Sequence, residues 1–292
     1  ENTEANNYQI FSPNSSELDL LDYSKVFDKI KKIMPDLIIH AAGRVGGIQA
    51  NLDNPYDFLV DNTKMGFNII EAADSIGIPH LLNLGSSCMY PRDAKNPITE
   101  DSILKGELEP TNEGYALAKI SVAKLCEYKS LLNKDRSYKT IIPCNLYGRF
   151  DKFDLAFSHM IPAVIRKLHE AKISNVKTVS IWGDGNARRE FMYASDFANF
   201  LYFSLDHFAD LPQYLNIGIG QDYSISEYYQ VIAEVVAYNG KFKYDLSKPT
   251  GMKKKLVDNS LIKHLGWEPK TSLTSGIDET YKFYKSNLKN EL

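Results

Sequence analysis

The stretch from Gly85 to Lys119 decides the fold. It begins Gly85-Ser86-Ser87-Cys88-Met89-Tyr90-Pro91 and ends Tyr115-Ala116-Leu117-Ala118-Lys119. The apolar run before this stretch, from residue 80 to 84, is typical of a buried strand. The end of the stretch, Tyr115 to Lys119, begins a helical pattern. Tyr115 and Lys119 are four residues apart, so on a helix they lie on one face, one turn apart. A serine at the end of the strand, Ser86, is predicted to join them in a group that moves a proton beside a carbonyl.

Composition limits the class of protein. The chain has 292 residues, of which 43% are apolar, which suits one large α/β unit with or without a smaller companion. The 34 Lys and Arg residues nearly balance the 37 Asp and Glu residues, so no strong field favours nucleic acid or a membrane surface as partner. The three cysteines, Cys88, Cys126 and Cys144, have neither metal-ligand spacing nor the even number of a disulfide framework. We therefore predict a cytoplasmic protein without a metal site.

In the first half of the chain, strand patterns alternate with helix patterns. We predict strands at 8–11, 36–42, 80–85 and 138–144, and helices at 23–33, 55–75 and 113–132. This alternation is typical of βαβ units, and it predicts an α/β fold with a Rossmann-like, doubly wound parallel sheet. Ligands of such sheets bind beyond the carboxyl ends of the strands.

After residue 148 the pattern becomes irregular and mixed. We predict helices at 158–171, from Ser195 as the cap to 208, and at 226–238, and strands at 178–182, 189–193, 214–219 and 241–244; a Lys-rich loop at 248–255 precedes two last helices. This predicts a smaller C-terminal α/β lobe that covers the substrate. The expected dinucleotide-binding domain is 1–148 plus about 190–217, and the lobe about 149–189 plus 218–292.

A dinucleotide-binding fold normally opens with a strand, a Gly-rich turn and a helix, because the turn lets the backbone approach the pyrophosphate. No such turn occurs ahead of Tyr8, and Gly43, Gly46 and Gly47 follow a later strand. We expect the first strand and the Gly-rich turn to precede Glu1. The alternative is that the chain binds no dinucleotide.

Several motifs in order resemble a known family. They are Val45-Gly46-Gly47-Ile48, Leu84 to Pro91, Leu108-Glu109-Pro110-Thr111-Asn112-Glu113, Tyr115 with Lys119, Ser158-His159 before Ile161-Pro162, and Arg189-Glu190-Phe191. The chain resembles the extended short-chain dehydrogenase/reductase family and, within it, the GDP-L-fucose synthases. The resemblance implies NADPH as cofactor, with NADH as an alternative, a GDP-sugar substrate, and a homodimer in nucleotide-sugar metabolism for polysaccharide biosynthesis.

The resemblance also implies roles in reduction. Tyr115 would protonate the reduced ketone, Lys119 would favour the phenolate and hold the nicotinamide ribose, and Ser86 would hydrogen-bond the ketone oxygen. The other cofactor-binding residues it implies are Asp19 near the adenine, Ala41, Ala42 and Gly43 along the cofactor backbone, and Asn145 near the nicotinamide.

A second reaction would use Cys88 and His159. Cys88 is two residues past Ser86 and so points to the same side of an extended chain, where a thiolate can take a proton from a carbon next to a carbonyl. His159 would return a proton from the opposite face. By resemblance these are the base and acid of epimerisation. The implied substrate-binding residues are Ser87, Asn145, Lys167, Trp182, Arg189 and Lys255.

Three functions remain open at this point. The first is NADPH-dependent C4 reduction of a GDP-4-keto-6-deoxy sugar, a hexose or heptose, with 3,5-epimerisation or as a reductase that only retains Cys88 and His159. The second is another nucleotide-sugar epimerase or dehydratase, but Ser87-Cys88-Met89 stands where a dehydratase needs carboxylates. The third is a non-catalytic dinucleotide-sensing module, which predicts loss of Tyr115 or Lys119, and both are present.

Overall fold

The computed structural model describes residues 3–154, 158–248 and 251–290. The α-helices are α1 (Tyr23–Ile33), α2 (Ile48–Asp53), α3 (Pro55–Ile76), α4 (Glu113–Leu132), α5 (Met160–Ile173), α6 (Ala194–Asp206), α7 (Ile225–Val236), α8 (Ser260–His264) and α9 (Leu273–Asn290). The strands are β1 (Leu37–His40), β2 (His80–Leu84), β3 (Ser137–Pro143), β4 (Asn145–Tyr147), β5 (Thr178–Trp182), β6 (Arg188–Arg189), β7 (Phe191–Tyr193), β8 (Tyr214–Ile217), β9 (Tyr223–Ser224), β10 (Lys241–Asp245) and β11 (Lys254–Lys255). Short 3-10 turns include Ser87–Met89 and Pro110–Asn112.

The main sheet has the strand order β1-β2-β3-β8, and all of its pairings are parallel. Helices cover both of its faces. On one face α1, α3 and α4 pack around Leu81 and Tyr138, and on the other α6 and α8 pack with Leu82. Leu81 and Leu82 are adjacent in β2 and therefore point to opposite faces. The predicted α/β, Rossmann-like doubly wound sheet is confirmed.

A second core belongs to the C-terminal part of the chain. It packs α5, α7 and α9 around buried residues such as Ile165, Tyr228 and Ile277. Strand β5 pairs with β10, and β7 pairs with β4, both in parallel. The domain boundaries given above remain a prediction. Across the ranges that the structure describes, no helix combines the length and apolar character of a transmembrane span.

Three local predictions are wrong. Residues 8–11 form no strand; Ile10 and Phe11 are 55% and 52% exposed, so they lack the buried face that stabilises a strand. Ser195 does not cap α6, because β7 leads directly into the helix and Tyr193 is the residue before its first turn. The strand predicted at 189–193 is interrupted at Glu190, and its two parts pair with different strands.

Candidate active site

Ser86 lies immediately beyond the carboxyl end of β2. A side chain at Gly85 would lie 2.9 Å from Met89 Sδ and 3.0 Å from Thr140 Cγ2, so glycine is what lets the chain turn close to β3. Ser86 then begins the 3-10 turn, and its Oγ accepts a hydrogen bond from the Cys88 amide at 3.2 Å. This bond fixes the serine at the edge of the sheet where parallel strands end.

Helix α4 brings Tyr115 and Lys119 to the same edge. Lys119 is buried, and its Nζ donates to the Leu84 carbonyl at 2.8 Å, which ties the helix to the end of β2. The same nitrogen lies 5.7 Å from the centre of the Tyr115 ring. The Ser86 hydroxyl lies close enough to Tyr115 to lower the pKa of its phenol. The structure thus brings the predicted Ser86, Tyr115 and Lys119 together.

Burial shapes the charge of this group. It raises the pKa of Tyr115, a negative charge on Cys88 would add to that rise, and the neighbouring Ser86 hydroxyl opposes it. Burial also lowers the pKa of Lys119 to about 8, although the charge of Cys88 opposes the shift. At neutral pH Tyr115 therefore holds its proton while Lys119 is mostly charged. The arrangement can deliver a proton to a carbonyl oxygen, with the ammonium stabilising the phenolate left behind.

A loop of small residues lies beside Lys119. Ala41 and Ala42 are exposed at the end of β1, and a methyl group on Gly43 would lie 3.9 Å from Lys119 Nζ. The buried Asn62 side chain holds the loop, since its Oδ1 accepts from the Arg44 amide at 2.9 Å and its Nδ2 donates to the Arg44 carbonyl at 3.1 Å. The bare backbone next to a lysine ammonium fits the sugar–phosphate part of a dinucleotide.

Cys88 is contacted by two side chains from elsewhere in the chain. Asn112 Nδ2 donates to its sulfur at 3.0 Å, and Lys255 Nζ lies 3.5 Å from it. Arg189 is also close enough for Cys88 to affect its pKa. Burial lowers the pKa of the guanidinium, and a negative charge on Cys88 would be the largest influence that raises it. Lys255 and Arg189 are therefore at the edge that carries Tyr115.

His159 is placed beside the loop that follows β1. It precedes the first turn of α5, and its Nδ1 is 4.0 Å from Asp151 Oδ1. A side chain on Gly47 would lie 2.9 Å from the carbonyl oxygen of Ser158, so that glycine permits close contact between the loop and the lobe. The acid role of His159 stays a prediction.

Other predicted site residues make contacts of their own. Ser87 is buried in the turn, and Asn145 Nδ2 donates to the Glu190 carbonyl at 2.9 Å. Lys167 donates to the Ser180 carbonyl on β5, and Trp182 is 43% exposed with Lys248 Nζ 5.5 Å from its ring centre. Asp19 is exposed, and its Oδ1 accepts from the Leu21 amide at 3.0 Å. Their assigned roles remain predictions.

Two asparagines were missed by the sequence prediction of the site. Asn112 contacts Cys88, and Asn62 holds the loop beside Lys119. A signal existed for each of them. Asn62 is a polar residue within the apolar pattern of α3, and Asn112 stands three residues before Tyr115 in a motif that otherwise supported only the family resemblance.

A doubly wound parallel sheet with a serine, a tyrosine and a lysine at its carboxyl edge defines a dinucleotide-dependent enzyme of the short-chain reductase type. Comparison with family models agrees: residues 1–220 match the NAD dependent epimerase/dehydratase family, and the chain belongs to it.

Individual relatives narrow the resemblance. The chain is 53% identical over 289 residues to the GDP-L-colitose synthase of Yersinia pseudotuberculosis, covering 99% of this chain and 94% of that protein. It is 46% identical to the GDP-L-fucose synthase of Azorhizobium caulinodans, covering 95% and 88%. Among solved structures, the GDP-mannoheptose C4 reductase of Campylobacter jejuni with NADP bound is similar with a TM-score of 0.84 at 31% identity, covering 94% and 89%. The predicted resemblance to the GDP-L-fucose synthases is confirmed.

Proposed function

We propose that this protein uses NADPH to reduce the C4 ketone of a GDP-4-keto-6-deoxy sugar. The observation that carries the proposal is the group of Ser86, Tyr115 and Lys119 at the carboxyl edge of the sheet. The relatives named as GDP-L-colitose synthase, GDP-L-fucose synthase and GDP-mannoheptose C4 reductase support GDP-sugars as the substrate class. Among sugars, a hexose and a heptose are the candidates.

Reduction requires a proton donor at the C4 oxygen. Tyr115 keeps its proton at neutral pH because burial raises its pKa, so it is able to donate. When the alkoxide takes this proton, the nearby ammonium of Lys119 stabilises the phenolate. Ser86 lies close to Tyr115 and would hydrogen-bond the ketone oxygen, which would align the two oxygens between which the proton moves.

NADPH would lie along the loop after β1. Ala41, Ala42 and Gly43 would allow its backbone to pass, Lys119 would hold the nicotinamide ribose, Asn145 would lie near the ring, and Asp19 near the adenine. When bound, the cofactor supplies a hydride to the C4 carbon. The C. jejuni relative solved with NADP bound supports this choice of cofactor over NADH.

Epimerisation is the second part of the proposal. The thiolate of Cys88 would take a proton from the carbon next to the ketone, the C–H electrons would form an enolate, and His159 would protonate that carbon from the other face. The donors around Cys88 favour this role. Similarity to a protein named as a C4 reductase supports the alternative, a reductase that keeps both residues without epimerising.

Contacts with the nucleotide would come from the C-terminal lobe. Arg189 would fork onto the diphosphate, and the exposed ring of Trp182 would stack on or flank the base. Lys167 stands where the family has an arginine, and Lys255 would also contact the nucleotide. Ser87 and Asn145 would contact the sugar.

We also propose a cytoplasmic homodimer formed through α3 and α4. Tyr56 and Phe67 are exposed on α3, and Leu117 and Tyr128 are exposed on α4. Each pair is separated by eleven residues, about three helical turns, so each forms an apolar stripe along one face. Analytical ultracentrifugation tests this: the native protein should sediment as a dimer and Tyr128→Glu as a monomer, and a monomeric native protein would refute it. The free cysteines agree with a reducing compartment.

The test of function is incubation with GDP-4-keto-6-deoxy-mannose or its heptose analogue and NADPH in deuterated water. NADPH oxidation is expected, and Tyr115→Phe should slow it by about 10²–10⁴-fold. Full activity of that variant would refute the acid assignment. Deuterium at C3 and C5 of the product distinguishes an epimerase-reductase from a reductase alone.

A further inference from the structure

Cys88 lies between two hydrogen-bond donors that come from different parts of the fold. Asn112 Nδ2 is 3.0 Å from the sulfur, and Lys255 Nζ is 3.5 Å from it. Asn112 directly precedes α4, whereas Lys255 ends β11, 167 residues from Cys88 in sequence. Both facing atoms carry hydrogens and no lone pair that could accept one. Such surroundings suit a sulfur that bears negative charge.

The two lysines of β11 show that this contact is specific. Lys254 has a side chain that is 42% exposed, and its Nζ pairs with Asp222 at 3.2 Å. Lys255 is only 8% exposed and turns to the other side of the strand, towards Cys88. A buried ammonium is costly unless negative charge lies near it. A thiolate at Cys88 would supply that charge.

The amide of Asn112 is oriented at a cost. Its Nδ2 faces the sulfur, while its Oδ1 is buried with no hydrogen-bond partner among the described residues. Rotating the amide by half a turn would place the oxygen against the sulfur and repel a thiolate. The N–H group facing the sulfur is therefore the arrangement that an anionic Cys88 selects.

Two further cationic side chains, Lys119 and Arg189, lie close enough to Cys88 for its charge to affect their pKa values. Burial lowers the pKa of both Lys119 and Arg189, and in both cases a negative charge on Cys88 would oppose the shift. The sulfur thus lies in a positive environment built from the sheet edge and the C-terminal lobe together.

We propose that Asn112 and Lys255 hold Cys88 as a thiolate and direct its sulfur towards the carbon next to the substrate ketone. Both are positioning residues, and the inference rests on the proposed function for its reaction. In that step the sulfur lone pair forms the S–H bond, the C–H bond breaks, and its electron pair forms the enolate. A neutral thiol has no comparable lone-pair basicity, so the donors determine whether the step occurs.

Alkylation of Cys88 in the substrate-free enzyme tests the inference directly. Iodoacetamide reacts with the thiolate, and peptide mass spectrometry separates Cys88 from the buried Cys126 and Cys144. At neutral pH, Lys255→Met and Asn112→Asp should each slow alkylation by about tenfold or more, and Lys255→Arg by less than about threefold. Lys254→Met is the matched control and should react at the native rate. Because the two test residues lie in different parts of the fold, misfolding of one variant leaves the other informative.

Isotope exchange provides the second readout. In Lys255→Met without NADPH, the rate of deuterium uptake next to the ketone of GDP-4-keto-6-deoxy-mannose should fall, as the rate of alkylation does. If Lys255 serves only the nucleotide, that variant raises KM and leaves alkylation unchanged, which overturns the inference. If the native enzyme neither oxidises NADPH nor exchanges deuterium, the proposed function fails, and a slowed alkylation in Lys255→Met still supports the thiolate environment.

Discussion

Two buried lysines lie at opposite edges of the main sheet and differ in how completely their ammonium groups are bound. Lys139, near the amino-terminal edge, donates to the carbonyls of Phe208, Ala209 and Leu211 at 2.6, 3.3 and 2.5 Å. Lys119, at the carboxyl edge, donates to the Leu84 carbonyl at 2.8 Å, which is its hydrogen bond within the described residues. Both are more than nine-tenths buried, and burial lowers the pKa of both.

The difference shows how a structural lysine is told from a functional one. An ammonium has three hydrogens to donate. Lys139 offers them to three protein carbonyls and holds the turn before β8, so its burial is compensated within the fold. Lys119 retains donor capacity beside an exposed loop and a tyrosine, and a ligand is needed to use it.

The largest effects are expected when each lysine is replaced by methionine and both activity and stability are measured. Lys119→Met should lower kcat/KM by about 10²–10⁴-fold, because Tyr115 loses the charge that stabilises its phenolate, and it should destabilise the fold less than Lys139→Met because one hydrogen bond is lost rather than three. Lys139→Met should instead lower the free energy of unfolding by about 2–4 kcal/mol, because three carbonyls, two of them in buried hydrogen bonds, lose their donor. Steady-state NADPH oxidation and urea denaturation measure the two effects.

Two outcomes would contradict this distinction between the lysines. A Lys119→Met protein that is as destabilised as Lys139→Met would mean that Lys119 also serves the fold. A Lys139→Met protein with lost activity but native stability would give the amino-terminal edge a role in catalysis.

The sequence predicts the local features of the carboxyl edge but not its long-range contacts. Helix α4 and strand β5 occur at the predicted residues, because periodic patterning is local. The pairing of Tyr115 with Lys119 is equally local. The contact between Cys88 and Lys255 joins residues 167 apart in sequence, and only the tertiary fold brings them together.

Some local predictions failed for a related reason. The residues predicted as one strand at 189–193 lie in two short strands on either side of Glu190. Glu190 itself pairs with no strand, because its carboxylate accepts from the backbone amides of Gly220 and Val257. No periodic pattern signals such a bond. A polar residue inside an apolar segment, such as Asn62, is a local signal of a long-range hydrogen bond.

Glu190, near the functional edge, resembles Lys139 in that both of its carboxylate oxygens are bound within the fold. Its carboxylate accepts from the Gly220 and Val257 amides at 2.8 and 3.1 Å, and burial nevertheless raises its pKa to about 7. Between pH 4.5 and 7 the folded state therefore holds a proton that the unfolded state releases. The contribution of Glu190 to the free energy of unfolding should fall as the pH rises through this window, by at most about 3 kcal/mol.

The variant for this test is Glu190→Gln, which cannot titrate. Urea denaturation at several pH values should give a native-minus-variant difference that declines from pH 4.5 to 7 and is constant above. The absolute offset between the two proteins carries no weight, since the new amide also faces backbone donors. A difference that is independent of pH would show that Glu190 is ionised throughout.

The smallest effect is expected at the loop beside Lys119. A methyl group in Gly43→Ala would lie 3.0 Å from Asn62 Oδ1 and 3.9 Å from Lys119 Nζ, so it narrows the space where the cofactor would pass. We expect KM for NADPH to rise by about tenfold, with kcat nearly unchanged, because Tyr115 and Lys119 keep their positions. Initial rates at varied NADPH measure this. If KM is unchanged while kcat falls, the loop acts by positioning Lys119 rather than by contacting the cofactor, and the donor capacity of Lys119 would serve the substrate instead.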